Sequence, residues 1–357
     1  MNSDNPVFSV CKEKPAIVLG GNGFVGSHTT RQLLSSGRKT RVMVRSSSNL
    51  RALEGLDVEK RIGDVYDKSS MIEAMRGCGT LFYCVVDTRA WLEDPAPLYR
   101  CNVEGLQNAL DAAVEAGVQR VVFTSTMATI GLNKSRAVTE CDEFNWHDSA
   151  PDYVKSRVEA ERLFFEHCKK HSLSGTALCI ANTYGPMDFQ PTPHGEALWN
   201  AATGKSPYAL NCSAPTVDIR DAARAMLLAE QMGADGHRYI VSNEYLPQAD
   251  MLRLAIDSYQ RPCRQRSDIS DTVPEDIKIK VRIIGMKTAY LMATISEWVA
   301  KLRGIKDVKL CRKSIYLSEV FGEMDSSKLK DDLGWKPRPL HQTIDDAVLW
   351  YRENHST

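Results

Sequence analysis

The chain has 357 residues, 25% of them charged, and its 45 basic side chains are matched by 45 acidic ones. That length supports one large nucleotide-sized unit plus a smaller partner, and a zero balance with no long run of one sign argues against nucleic acid as a partner. The ten cysteines are scattered, with no CxxC pair and no Cys/His spacing suited to zinc, so buried thiols in a reducing compartment and no metal are expected.

Met1 to Lys14 shows no basic-then-apolar leader, and no stretch of about twenty residues is apolar enough to cross a bilayer, so a cytoplasmic protein is expected. Ala16–Leu19, Arg41–Val44, Leu81–Val85 and Arg120–Thr124 are short β-branched runs separated by helical patterns, the mark of βαβ units and a parallel sheet. Val103, Leu106, Leu110 and Ala113 share one face of a helix that ends near Gly117. A helix from about Tyr153 to His171 precedes a strand at Thr176–Ile180. After Gly185-Pro186 the pattern changes: residues 187–215 are rich in Pro, Gly and Asn, and alternation lapses until a helix that begins at Asp221. Residues 246–357 add mostly helices. Within them Ile284, Leu291, Ile295, Trp298 and Leu302 recur at helical spacing, with Lys287, Glu297 and Lys301 on other faces. This amphipathic helix is expected to pack on its own domain, and association of 281–303 with a membrane surface is the other reading.

The first strand runs directly into Gly20-Gly21-Asn22-Gly23-Phe24-Val25-Gly26 and then into a helix. A pyrophosphate needs close approach of the main chain and the unpaired N–H groups of a helix start, so Gly20, Gly23, Phe24 and Val25 are candidate cofactor contacts, and Gly26 lets the helix lie close to the strand. The second strand ends Val44-Arg45-Ser46-Ser47-Ser48. An acidic residue there would suit a ribose 2′-hydroxyl; Arg45 and Ser46 suit a 2′-phosphate, which favours NADP(H) over NAD(H). The expected fold is α/β, a Rossmann-type doubly wound parallel sheet over 14–186 and about 216–245. A smaller, mostly helical substrate lobe is expected from 187–215 and 246–357.

Thr124-Ser125-Thr126 closes the fourth strand of this reading, and Tyr153 lies downstream with Arg157 one helical turn later. With the glycine turn, these residues resemble the extended short-chain dehydrogenase/reductase superfamily. The likeness takes in Gly63-Asp64-Val65, Asn102-Val103-Glu104-Gly105, Asn182-Thr183-Tyr184-Gly185-Pro186 and Leu333-Gly334-Trp335-Lys336-Pro337. Trp91-Leu92-Glu93-Asp94-Pro95 and Gly185-Pro186-Met187-Asp188 look most like the branch of hopanoid-associated sugar epimerases, dihydroflavonol reductases and 3β-hydroxysteroid dehydrogenases. The resemblance implies Tyr153 as the proton-transfer residue, Thr126 on the substrate oxygen, and a cation beside Tyr153 to depress its pKa. Asp64 would reach the adenine ring, Val65, Val85 and Ser125 would line the cofactor, and Asn102 would order the site. Three departures stand out. Arg157 occupies the family's lysine position, keeping the charge and able to donate to ribose hydroxyls with a larger planar fork. Tyr83-Cys84-Val85-Val86 replaces a His and a small Ala-Ala pair, and threonine stands at 126.

The function expected is an NADP(H)-dependent interconversion of a ketone and a secondary alcohol on a largely apolar small molecule. Trp91, Phe189, Trp199 and Tyr208 in the candidate substrate segments favour an apolar ligand, unless they fill the lobe's own core. Two alternatives stay open: a nucleotide-sugar epimerase or dehydratase that retains NAD, and a catalytically impaired cofactor-binding protein marked by Arg157. Asn182 and His194 are further substrate candidates; His147 and the other histidines lack ligand spacing for a metal. The partners expected are a small molecule and, as a candidate assembly, a second copy.

Overall fold

The computed structural model describes residues 11–261 and 279–354, so the extreme amino terminus lies outside it. In chain order, β1 (Ala16–Leu19), α1 (Phe24–Ser35), β2 (Thr40–Val44), β3 (Glu59–Ile62), α2 (Lys68–Met75) and β4 (Thr80–Tyr83) build the first half of a sheet. The short helix α3 (Ala96–Tyr99) continues through a π-helical turn, Arg100–Glu104, into α4 (Gly105–Glu115). Then come β5 (Arg120–Thr126), α5 (Asp152–His171), β6 (Ser174–Ile180), β7 (Asn182–Tyr184), α6 (Pro193–Ala202), β8 (Tyr208–Leu210), β9 (Ser213–Asp218) and α7 (Ile219–Met232). The remainder is β10 (Arg238–Val241), β11 (Glu244–Pro247), α8 (Gln248–Gln260), β12 (Arg282–Ile284), α9 (Met286–Leu302), α10 (Arg312–Glu319), α11 (Ser327–Leu333) and α12 (Leu340–Asn354).

Seven parallel strands form the main sheet in the order β10-β6-β5-β4-β1-β2-β3. All four residues of β1 and all five of β2 are buried, because helices cover both faces of a parallel sheet; β1 accordingly reads as an unbroken apolar run, and β2 becomes one after Thr40 and Arg41. Strand order reverses between β1 and β4, and a crevice for ligands opens there at the carboxyl ends. β3 has no such signal. Its Glu-Lys-Arg-Ile sequence is exposed throughout at the sheet's edge, where charge discourages pairing with another chain.

A second, three-stranded sheet, β11-β9-β7, and the two-stranded β12-β8 lie beyond it. Around them α6, α8 and α12 enclose a separate apolar cluster of Tyr184, Leu198, Ala202, Met251, Ala255, Ile344 and Val348. Helix α6 falls inside the stretch where the sequence pattern lapses; Thr192 caps it by accepting from Gly195 N–H at 3.1 Å, with proline in its first turn. The carboxyl-terminal third is not confined to this lobe. Phe321, Met324, Leu329, Leu333 and Trp335 join the core on one face of the main sheet, and Trp335 Nε1 donates to Asp221 O at 2.9 Å.

Candidate active site

The glycine turn is shaped by contacts that no side chain could share. Gly20 has φ +77°, and a Cβ there would lie 2.7 Å from Cys84 O; one on Gly26 would lie 2.2 Å from Gly20 O. Gly26 therefore sets how closely α1 approaches the end of β1. Gly23 is the N-cap of α1, and nothing else caps the helix: no side chain bonds its first turn and no acidic residue sits there. The N–H groups of Phe24, Val25 and Gly26 lack intrahelical partners, and the positive end of the helix is unneutralised. Such a cradle fits the pyrophosphate of a dinucleotide.

Beside the turn, the ends of β2, β3 and β4 open into a cleft of about 1130 Å³ lined by Arg45, Tyr66, Val86, Asp87 and Arg100 among others. Arg45 and Ser46 are exposed just past β2, and Arg45 N–H donates to Ser48 Oγ at 3.1 Å. Asp64 sits in the turn after β3, its carboxylate accepting from Tyr66 N–H at 3.0 Å. Val65 is buried under α4, and its carbonyl takes a bond from Asn108 Nδ2 at 3.1 Å. The backbone N–H of Val85 lies where a Cβ on Gly20 would approach to 3.1 Å.

Tyr153, Thr126 and Arg157 converge where β5 ends against the first turns of α5. Burial is the main influence on the Tyr153 phenol and pushes it up; the Arg157 guanidinium and a hydrogen bond with Thr126 pull it down, and Asp87 pushes it up again. The net direction is upward. The sequence-based expectation of a depressed phenol is thus corrected: Arg157 acts in the expected sense, but desolvation outweighs it. Thr126, half-buried, also accepts from Ala128 N–H at 3.3 Å.

Arg157 is 1% exposed. Its Nη2 donates to Thr124 O at 2.5 Å, its guanidinium carbon stands 5.2 Å from the Phe123 ring centre, and Nε and Nη1 are buried without a protein partner. The cation is enclosed against β5, held between Thr124 O and the Phe123 ring. The neighbouring Tyr83 hydroxyl is likewise buried without a partner. The Ser125 hydroxyl donates to Glu161, which Arg238 pairs at 2.9 Å, so this side chain faces the layer between strand and helix.

Asn102 explains how the site is held. The π-helical turn brings it fully inside, where it accepts from Asp87 N–H at 2.8 Å and donates to Asp87 O at 3.1 Å and to Ser156 Oγ at 3.0 Å. Ser156 Oγ in turn donates to Tyr153 O at 2.7 Å. One amide thereby ties the segment after β4 to the turn that carries Tyr153. Sequence reasoning misses Asp87 and Ser156; the Asn-Val-Glu-Gly motif is the only pointer to them. Trp91 is half-buried in that same segment, and Lys313 Nζ links its neighbour Leu92 O (3.2 Å) to Asp152 (3.3 Å), beside Tyr153. Asn182 opens β7, two residues past Ile180, which pairs with Thr126 in the main sheet, and His194 is exposed with its ring centre 5.6 Å from that of Tyr184. Trp199 stacks on Tyr351 at 5.8 Å and packs edge-on to Tyr259 at 5.5 Å, so it belongs to the lobe's core.

The family described as NAD dependent epimerase/dehydratase matches residues 16–242. The chain is 30% identical to the 4-hydroxy-2-methyl-3-oxo-4-farnesyl-3,4-dihydroquinoline-1-oxide ketoreductase of Stigmatella aurantiaca, over 93% of this chain and 94% of the relative. It is 28% identical to sterol demethylase protein B of Methylococcus capsulatus, over 94% and 98%. Among solved structures, UDP-glucose 4-epimerase of Thermus thermophilus in complex with NAD shares the fold with a TM-score of 0.73 at 18% identity, over 95% of this chain and 99% of that one. With the seven-stranded parallel sheet and its glycine turn, these likenesses establish that the chain belongs to the NAD dependent epimerase/dehydratase family, as an NAD(P)-dependent oxidoreductase of the extended short-chain dehydrogenase/reductase type.

Proposed function

We propose that the protein interconverts a ketone and a secondary alcohol on a largely apolar small molecule, with NADP(H) as cofactor and Tyr153 as the proton-transfer residue. The observation that carries this reading is the meeting of the Tyr153 phenol, the Thr126 hydroxyl and the Arg157 cation at the end of β5. The names of the two relatives, a ketoreductase of a farnesyl-bearing ring and a sterol-modifying protein, favour an apolar substrate.

When bound, the nicotinamide supplies or accepts the hydride at the carbonyl carbon. The chain's own residues handle everything else. Gly20, Gly23 and the N–H groups of Phe24, Val25 and Gly26 hold the pyrophosphate, Arg45 and Ser46 take the 2′-phosphate, and Asp64 and Val65 border the adenine. In the reducing direction Thr126 donates to the carbonyl oxygen, Tyr153 Oη delivers its proton to that oxygen as the C–H bond forms, and the phenolate left behind is favoured by the Arg157 charge. Oxidation runs the same transfers backwards. Trp91, with Asn182 and His194 farther out, borders the substrate.

Stoichiometric NADPH consumption over a panel of apolar ketones, abolished in Tyr153→Phe with cofactor binding retained, is the expected result. A cofactor that stays bound while a nucleotide sugar is epimerised would overturn it. A second reading, cofactor binding with impaired catalysis, is favoured by the enclosure of Arg157 against Thr124 and the upward push on Tyr153. Nanomolar-to-micromolar cofactor affinity without turnover on the same panel would select it.

A further inference from the structure

Helix α9 is apolar on two opposite sides. Ala289, Ala293 and Ala300 face inward and are buried. Leu291, Ile295, Trp298 and Leu302 form the stripe expected from their spacing, yet they are 60, 53, 64 and 68% exposed. The expectation that this stripe packs on its own domain is therefore corrected: small residues supply the inner contact, leaving the large ones outside. Ile283, Met292, Ile305 and Leu310 extend the exposed surface. A contiguous apolar face of this kind marks an interaction site.

We propose that this face docks on an anionic lipid surface, with α9 lying in the plane of the headgroups. The choice of occupant rests on charge. Residues 279–313 carry nine basic side chains against two acidic ones, in a chain whose total is balanced. One of the two acids, Glu297, is already paired with Arg312 at 3.0 Å. The expectation that Lys287 and Lys301 lie on faces away from the stripe is corrected: Lys287, four residues before Leu291, and Lys301, three after Trp298, lie along one edge of it, while Lys280, Arg282, Arg303, Lys306 and Lys309 are exposed around its ends. Apolar side chains with a tryptophan, rimmed by lysine and arginine that extend along the interface, suit acyl chains below and phosphate above. Among the described residues no helix is long and apolar enough to cross a membrane, so the helix lies on the surface.

The helix is braced for this role by Tyr290 Oη donating to Glu319 at 2.5 Å and by the Glu297–Arg312 pair. The segment after it reaches the rim of the site, with Lys309 Nζ 6.0 Å from the Trp91 ring centre and 3.6 Å from Glu196. If the function proposed above holds, an apolar substrate dissolved in the bilayer would meet the cleft from this side.

The test is co-sedimentation of the full chain with phosphatidylcholine vesicles, with and without phosphatidylserine, in the absence of substrate, so that it stands apart from the oxidoreductase reading. Binding is expected only with phosphatidylserine, weakened by salt and by about tenfold or more in Trp298→Glu or Ile295→Glu. Lys287→Glu and Lys301→Glu should each weaken it by at least about fivefold. NADPH binding, unchanged in all four variants, shows that they fold. No sedimentation with either vesicle, or equal sedimentation of Trp298→Glu and the native chain, overturns the proposal. So does a lipid-independent dimer that Trp298→Glu dissociates, which would make the face a contact between copies.

Discussion

Replacing Arg157 with methionine should separate stability from activity. The change removes a charged hydrogen bond to Thr124 O, about 1.5–3 kcal/mol, and a contact over the Phe123 ring of about 0.5–2 kcal/mol. It also removes two buried N–H groups without protein partners, Nε and Nη1, each of which penalises the fold by about 1–3 kcal/mol. These contributions nearly cancel, as they commonly do when an enclosed charge gives way to an apolar chain of similar length. The unfolding free energy should stay within about 2 kcal/mol of the native value. Activity should not stay. Without the guanidinium, burial acts on Tyr153 with less opposition, and each further unit of pKa is about 1.4 kcal/mol, a factor of ten in phenolate at a given pH. In the oxidising direction, where the phenolate takes the proton, the rate climbs as pH rises through the phenol's pKa. Arg157→Met should shift that climb to higher pH by about one unit or more and lower the neutral rate by about tenfold. The assay is the appearance of reduced nicotinamide across pH, beside thermal melts of both proteins. A native and a variant pH profile that coincide, with Tyr153→Phe inactive, would refute the electrostatic role; a loss of stability beyond about 4 kcal/mol would show Arg157 to be chiefly a structural residue. Arg157→Lys, which restores the family's residue, should keep or raise activity.

Arg45→Asp should weaken NADPH binding by well over about tenfold and spare NADH, measured by nicotinamide fluorescence titration, since it replaces the cation proposed to meet the 2′-phosphate with a carboxylate; equal loss of both would remove Arg45 from that role. Gly23→Val should abolish binding of both cofactors with little change in melting, because a Cβ there meets only Gly20 O at 3.3 Å, whereas Gly26→Ala, whose Cβ would lie 2.2 Å from the same oxygen, should lose binding and stability together. Asn102→Ala should lower the unfolding free energy by about 3 kcal/mol, one for each of its three bonds; an unchanged denaturation midpoint would mean that Asp87 and Ser156 find other partners. His28 is buried against Pro186 O, and burial pulls its pKa down to about 4. The unfolded chain then takes up a proton from about pH 6.5 downward while the native one does not, so stability present above pH 6.5 is lost as pH falls to 4, by about 3 kcal/mol. His28→Gln should flatten that slope in denaturation curves taken across the window.

The central strands and α5 were legible because burial on both faces and a long helical period leave unmistakable runs. β3 was not, since an edge strand of Glu59, Lys60, Arg61 and Ile62 buries nothing. α6 begins at Thr192-Pro193, a start signal obscured by the proline- and glycine-rich stretch around it. At the site, chemistry was easier to read than direction. The family resemblance points to Tyr153, Thr126 and Arg157, but the rotamer that turns the guanidinium to Thr124 depends on tertiary packing around Phe123. The same holds for α9, where two interleaved sets, alanines and large apolar residues, have equal helical periodicity and only the neighbours decide which set is inside.

The return of Phe321 to Trp335 to the main sheet has a consequence for biosynthesis. β1 to β6 leave the ribosome early, yet the face that these late residues cover, near β10 and α7, receives its wall only when the chain is nearly finished. At about 5–20 residues per second, the interval between β6 and Trp335 is on the order of ten seconds. During that time the nascent domain carries an unroofed apolar surface, a period in which chaperones would be engaged, and a premature stop before Phe321 would leave that face of the sheet uncovered.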